Sequence, residues 1–199
     1  MKKEVNVTKK ELTLPTTSQL EAELKREKYK FRYKKLLRST IYALLIVVAL
    51  SVLAATLVFP VLQIYGESMT PTLNSDDIVV SIKKSNFESG DIIAFYYNNR
   101  ILVKRVIATS SDWVNIDDDG NVYVNNKLLK EPYISEKSLG ESDIKYPYQV
   151  PEGTYFVLGD DRKTSIDSRN SVIGTVNEED IIGEVLFRVW PFKNFGTVN

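Results

Sequence analysis

Ser68 stands in Gly66-Glu67-Ser68-Met69-Thr70-Pro71-Thr72-Leu73, a hydroxyl beside a proline-containing turn. Further along, Lys104 lies in Ile101–Ala108 (ILVKRVIA), where strand alternation puts it on one face with Leu102 and Val106. A serine becomes a nucleophile once a base takes its proton. A lysine stripped of water holds its proton less tightly and can be that base. Each residue also has an ordinary reading: a turn hydroxyl for Ser68, and for Lys104 an edge charge that blocks aggregation. Arg105, on the opposite face, reads as solvated. A third stretch, Leu158–Arg169 (LGDDRKTSIDSR), is packed with hydroxyls, carboxylates and arginines. It reads either as a surface loop held by its own hydrogen bonds or as a support that orients a catalytic group. Ser165, Asp167 and Arg169 are then the available partners.

What the chain lacks narrows the chemistry further. Its 199 residues include no histidine and no cysteine. That excludes a Ser-His-Asp triad, a thiol nucleophile, disulfides, CxxC redox chemistry and imidazole or thiolate metal sites. An enzyme with this composition must use Lys, Asp, Glu or Tyr as its acid or base.

The elements that must position these residues follow from charge and hydropathy. Net charge is zero, but residues 1–38 carry 12 basic and 5 acidic residues, while residues 39–199 carry 14 and 21. The division, +7 against −7, suggests two environments. Between them Ser39–Gly66 is uncharged, and Ile41–Phe59 is 19 residues of mostly Leu, Val, Ile and Ala. At ~1.5 Å per residue that run spans about 28 Å, close to the ~30 Å hydrocarbon core. A buried soluble helix would show a polar face, which is missing beyond Ser51 and Thr56. A cleaved leader would need a better small-x-small site than Ala54-Ala55-Thr56. The segment therefore reads as a retained transmembrane anchor. Lys25–Arg38, with eight basic residues and one acid, keeps the N-terminal end in the cytoplasm.

The expected organisation is a cytoplasmic segment over 1–38, a membrane helix over 39–60 and one extracytoplasmic domain over 61–199. Residues 1–16 read as disordered and 17–38 as helical, with Thr17 or Ser18 capping and Glu21 three residues after Ser18. The basic stretch reads as a topology signal against anionic headgroups in preference to a lipid- or nucleic-acid-binding element. The outer domain reads as all-β. Strands are predicted over Asp77–Ile82, Asp91–Tyr97, Ile101–Ala108, Trp113–Ile116, Val122–Val124, Gly153–Leu158 and Gly183–Val189. Asp119-Gly120 and Asn125-Asn126 are hairpin turn signals, and Pro132–Pro151 reads as a loop.

Taken in order behind an apolar anchor, these stretches resemble the bacterial type I signal peptidases, Ser/Lys serine proteases of the membrane, and the Gram-positive branch in particular. The resemblance covers roughly residues 40–193. It is carried by GESMTPTL (66–73), DIVV (77–80), GDIIAF (90–95), VKRVIA (103–108), VYVNNKLLKEPYI (122–134), YFVLGDDRKTSIDSR (155–169) and IIGEVLFRVWPF (181–192). It implies Ser68 as nucleophile, with its backbone N–H as an oxyanion donor, and Lys104 as general base. Ser165 would orient the lysine, Asp167 and Arg169 would form a supporting ion pair, and Asp160 and Arg162 would open that loop. The implied fold is an all-β coiled sheet behind one membrane helix. The implied substrate is a preprotein bound extended along strand edges, with small residues at −3 and −1, and Ile64, Tyr65 and Val103 fall at the expected substrate pockets.

The implied partners are preprotein signal peptides and the phospholipid membrane, near the protein-export channel, with no nucleic acid, cofactor or metal. Some positions depart from the pattern. Gly66 stands where many Gram-negative members carry a second oxyanion hydroxyl, Asp161 where Asn is commoner, and Ser110-Ser111-Asp112 where a Gly-Asp turn is usual. The loop at 135–150 is short and the 38-residue lead long. The missing histidine argues against the endoplasmic-reticulum branch. Phe59, Val61, Leu62, Ile64 and Tyr65 read equally as pocket lining, headgroup contact or core, and Trp190, Phe192 and Phe195 read as C-terminal packing. Two other readings compete: a non-catalytic membrane-anchored peptide-binding or pilus-assembly module, and a soluble self-cleaving regulatory protease.

Overall fold

The computed structural model describes residues 15–198, the side chains of residues 56–58 excepted. The expectation of disorder before residue 15 lies outside the described residues. Contact density divides the chain near Leu53 into an N-terminal helical unit and a β unit, each compact in itself.

The first unit is one helix, α1 (Thr17–Val58), in which the basic and apolar stretches run on without a break. No glycine or proline interrupts it, and Pro15 and Pro60 flank it. Its cap lies just before the expected one. The Thr16 N–H donates to Gln19 Oε1 at 3.0 Å, so the T-x-x-Q pair at 16 and 19 forms the capping contact that Ser18 and Glu21 were expected to make. Leu44, Leu45, Ile46 and Leu50 are all exposed, and the helix is long and apolar enough to cross a membrane.

The second unit is built of short strands: β1 (Val61–Gln63), β2 (Ile78–Ile82), β3 (Ile92–Tyr97), β4 (Arg100–Ala108), β5 (Trp113–Ile116), β6 (Val122–Val124), β7 (Lys127–Leu128), β8 (Tyr148–Gln149), β9 (Thr154–Leu158), β10 (Val176–Asn177), β11 (Ile181–Trp190) and β12 (Gly196–Thr197). The large sheet has the order β1-β2-β11-β3-β4-β9-β10, with β12 on β11; the small one is β7-β6-β5-β8. The chain is thus mainly β behind one apolar helix.

All seven predicted strands form. The strands without a sequence signal are two or three residues long, too short for alternation to show. One of them, β8, lies inside the predicted loop over 132–151. Asn125-Asn126 joins β6 to β7 with φ of 51° and 63°. An equivalent pair, Asn98-Asn99, joins β3 to β4 with φ of 44° and 63°. Both suit the type I′ geometry of tight hairpins.

β3 is buried on both faces. Ile92 and Ala94 join Ile64, Met69, Leu73 and Val79 in one apolar cluster, while Ile93 and Phe95 join Val106, Tyr155 and Val157 in a second. β9 divides likewise, sending Phe156 and Leu158 to a third cluster over the small sheet. Covering both faces explains why these strands read as continuous apolar runs. Two-sided burial also corrects the expectation for Arg105. It is 2% exposed, because the face opposite Lys104 is covered as well. The C-terminal aromatics pack on one another, as expected, but at the surface. Trp190, Phe192 and Phe195 are exposed and pack edge-to-face in surface pairs, Trp190 on Phe192 and Phe195 on Phe187.

Candidate active site

The turn after β1 carries Ser68. Gly66 adopts φ of +87°, a left-handed conformation that suits glycine and lets the chain reverse. The turn is tied by Thr70 N–H to the Glu67 carbonyl and by Leu73 N–H to the Met69 carbonyl, each at 2.9 Å. Met69 and Leu73 are driven into the first apolar cluster, and Ser68 between them and solvent stays half-buried.

β4 carries Lys104 into the interior, where the residue is 3% exposed. Its Nζ donates to Ser165 Oγ at 2.9 Å. Burial disfavours the ammonium and brings the lysine pKa down to about 8; the negative charge of Asp167 opposes that shift and the positive charge of Arg169 assists it. Ser68, Lys104, Val103, Ile64 and Tyr65 line one cleft of ≈ 610 Å³, bounded by residues 61–65 and 99–104. Val61 and Leu62 line it too, so this apolar run serves the cleft while Leu62 and Ile64 also pack in the core.

The loop after β9 carries Ser165. Asp167 and Arg169 form a fully buried bidentate pair, with Nε to Oδ1 and Nη2 to Oδ2 both at 2.8 Å. Asp167 Oδ2 also accepts the Gly159 N–H at 3.0 Å. Arg169 spends its remaining donors on the carbonyls of Arg162, Leu139, Ser138 and Ser165. The backbone of Ser165 is thereby held at both ends, since its N–H donates to the Asp161 carbonyl at 3.0 Å.

Asp160 and Arg162 do not pair with each other. Asp160 binds Arg105 through two contacts of 2.9 and 2.7 Å, and it accepts the Thr72 hydroxyl. Arg162 pairs with Glu131 and donates to the Gly159 carbonyl. Arg105 also donates to the Gly90 carbonyl and lies over the Tyr133 ring, 3.9 Å from its centre. Thr72 therefore ties the Ser68 turn to β4 and to the loop. A second arginine, Arg188 on β11, holds the same turn by donating to the Thr72 carbonyl at 3.0 Å and to Asp77 at 2.8 Å.

Gly159 sits where turn and loop meet. A Cβ there would fall 2.2 Å from Ser165 Oγ and 2.4 Å from the Ser68 carbonyl oxygen, so only glycine allows the two to approach. That carbonyl accepts the Asp161 N–H at 3.1 Å. Sequence reasoning passed over Gly159, Thr72, Arg105, Glu131 and Arg188. The available signals were a glycine at the end of an apolar strand and an arginine embedded in one.

An amine neutral near pH 8, aimed by a fixed hydroxyl and sharing a cleft with a half-buried serine, can accept the serine's proton. Known proteins resemble this chain over most of its length. Residues 37–190 match the model of the family described as signal peptidase, peptidase S26. The chain is 33% identical over 181 residues to a signal peptidase I of Bacillus amyloliquefaciens, covering 85% of this chain and 97% of that one. It is 37% identical over 153 residues to a signal peptidase IB of Staphylococcus aureus, covering 66% and 78%. A crystal structure of a signal peptidase I from Enterococcus faecalis aligns with 50% of this chain and 96% of that one, at 31% identity and a TM-score of 0.41.

Proposed function

Given that this chain belongs to the signal peptidase family, peptidase S26, we propose that it is a membrane-bound serine endopeptidase that removes signal peptides from exported preproteins. Ser68 is the nucleophile and Lys104 the general base. The observation that carries this reading is the buried Lys104 amine, bonded to Ser165 and lining the same cleft as Ser68.

In the reaction, neutral Lys104 takes the Ser68 proton as Oγ attacks the scissile carbonyl. The Ser68 backbone N–H donates to the oxyanion. The Lys104 ammonium then gives its proton to the leaving amine, and water, activated by the same lysine, hydrolyses the acyl-enzyme. Ser165 aims the amine, and the Asp167–Arg169 pair supports the Ser165 loop. The substrate lies extended between β1 and β4, where main-chain pairing gives affinity without reading sequence. The small apolar surfaces of Ile64 and Val103, with Tyr65 at the rim, select small side chains at −1 and −3.

Residues 39–60 span the membrane with the basic segment in the cytoplasm, so the β unit works on the outer face, where a preprotein's cleavage site emerges near the export channel. Ser68 follows Phe59 by only nine residues, which keeps the nucleophile near the lipid surface.

The test is cleavage of a preprotein in detergent, with the product N-terminus mapped. Ser68→Ala and Lys104→Met are each expected to lose at least ~10³-fold in rate. Near wild-type cleavage by either variant would refute the dyad. The wild-type rate is expected to fall about tenfold per pH unit below pH 8, as Lys104 becomes an ammonium. A rate that stays flat to pH 5 would remove Lys104 from the role of base.

A further inference from the structure

We propose that the cleft carries a subsite for an acidic side chain, with Arg100 recognising a carboxylate at −4, the fourth residue before the scissile bond of the bound peptide. This rests on the peptidase reading above and adds to it a preference at a position that small-residue selection does not address.

Two strand edges bound the cleft. β1 pairs with β2 on one side. On β4, residues 100–105 pair with β3, whereas β9 joins the other side only from Arg105 onward. The stretch Arg100–Lys104 therefore has one main-chain edge turned away from β3 and not taken by β9. Both strands run toward the Ser68–Lys104 end. A peptide whose N-terminal side fills the cleft and whose scissile bond reaches Ser68 must run the same way.

Peptide and strand advance by the same ~3.3 Å per residue. If the −1 residue is level with Val103, which with Ile64 bounds its pocket, the −4 residue is level with Arg100, about 10 Å back along β4. Alternation then places the −1 and −3 side chains on the Val103 face and the −4 side chain on the opposite face with Arg100.

The charges make this end of the cleft distinctive. The β unit holds five arginines: Arg100, Arg105, Arg162, Arg169 and Arg188. Four of them are paired with carboxylates. Arg100 takes part in none of the ion pairs among the described residues; it is exposed and lines the cleft beside Asn99. No carboxylate lines the cleft, so its two charged side chains, Arg100 and Lys104, are both basic. An unpaired guanidinium offers a bidentate donor fork that fits a carboxylate. A lysine or arginine at −4 would meet like charge.

The experiment uses the full chain in zwitterionic detergent. The substrates are peptides with Ala at −3 and −1 and with Glu, Gln or Lys at −4. The wild type is expected to cut them in the order Glu, Gln, Lys, with kcat/KM for Glu about fivefold above Lys, the scale of a solvent-exposed ion pair. Arg100→Glu is expected to reverse the order, Arg100→Gln to flatten it, and 0.5 M salt to compress the wild-type ratio. Equal cleavage of all three peptides by the wild type, or an order that Arg100→Glu leaves unchanged, overturns the subsite while the peptidase reading stands. If the wild type cuts none of the peptides, the peptidase reading itself falls.

Discussion

The turn that carries Ser68 and the loop that carries Ser165 meet at Gly159, yet they are held by opposite means. The turn is anchored from below by Met69 and Leu73 in an apolar cluster, and its serine stays partly open. The loop is held by buried charge: Asp167 and Arg169 are both fully enclosed, and their donors and acceptors are spent on one another and on four backbone carbonyls. Apolar contact is non-directional, so it fixes depth and leaves one side free for a substrate. Hydrogen-bonded charge in a dry setting fixes direction, which a hydroxyl that aims an amine requires. Access is kept at Ser68 and orientation at Ser165.

The strongest way to break that contrast is to remove one charge. Arg169→Met leaves Asp167 buried without its partner and is expected to cost about 3–5 kcal/mol in urea unfolding. Leu73→Ala removes the apolar anchor and is expected to cost about 2–4 kcal/mol, with less effect on the loop. If Arg169→Met unfolds at the wild-type midpoint while Leu73→Ala does not, charge does not hold the loop and the contrast is wrong.

A sharper probe leaves both anchors in place and separates the two halves. Gly159→Ala puts a methyl into the Ser165 hydroxyl and the Ser68 carbonyl. A misplacement approaching 1 Å at reacting groups costs on the order of 10²-fold. The expected result is a kcat about 10² lower with KM little changed, because the far end of the cleft is untouched. A loss confined to KM would mean that Gly159 shapes the binding cleft and not the spacing of the two halves.

The apolar half was the legible half. Continuous runs such as IIAFYY and TYFVL identify strands by composition, and alternation in ILVKRVIA singled out Lys104. The same alternation misassigned Arg105, because a period of two tells which residues share a face but not whether the opposite face is covered. In this sheet both faces are covered, and Arg105 is retained inside by Asp160 and Tyr133, which lie 55 and 28 residues away in the chain. The ties from Arg188 to Thr72 and from Arg162 to Glu131 were hidden for the same reason. Each joins segments far apart in the chain, and such a pairing leaves no local trace. Gly159 was visible as a letter, but its role depends on two atoms brought to it by separate elements.

The smallest expected effect bears on what the dry setting of the base costs the fold. With its pKa lowered to about 8 from an unfolded value near 10.5, Lys104 is charged in both states below pH 8, and there the folded protein carries the full penalty of a buried ammonium. Between pH 8 and about 10.5 the folded form is neutral while the unfolded form still binds the proton, so the penalty fades as pH rises. Lys104→Met, which loses the bond to Ser165 but buries no charge, is therefore expected to be about 1–2 kcal/mol more stable than wild type at pH 7, with the gap narrowing toward pH 10. Arg169→Met, by contrast, keeps the buried amine and should still gain stability across that window, as the wild type does. Thermal melts of the three proteins at pH 7 and pH 10 make the comparison directly. If the gap between wild type and Lys104→Met is the same at both pH values, Lys104 is not held as a neutral amine, and the contrast between an open Ser68 and a dehydrated Lys104 fails at its second half.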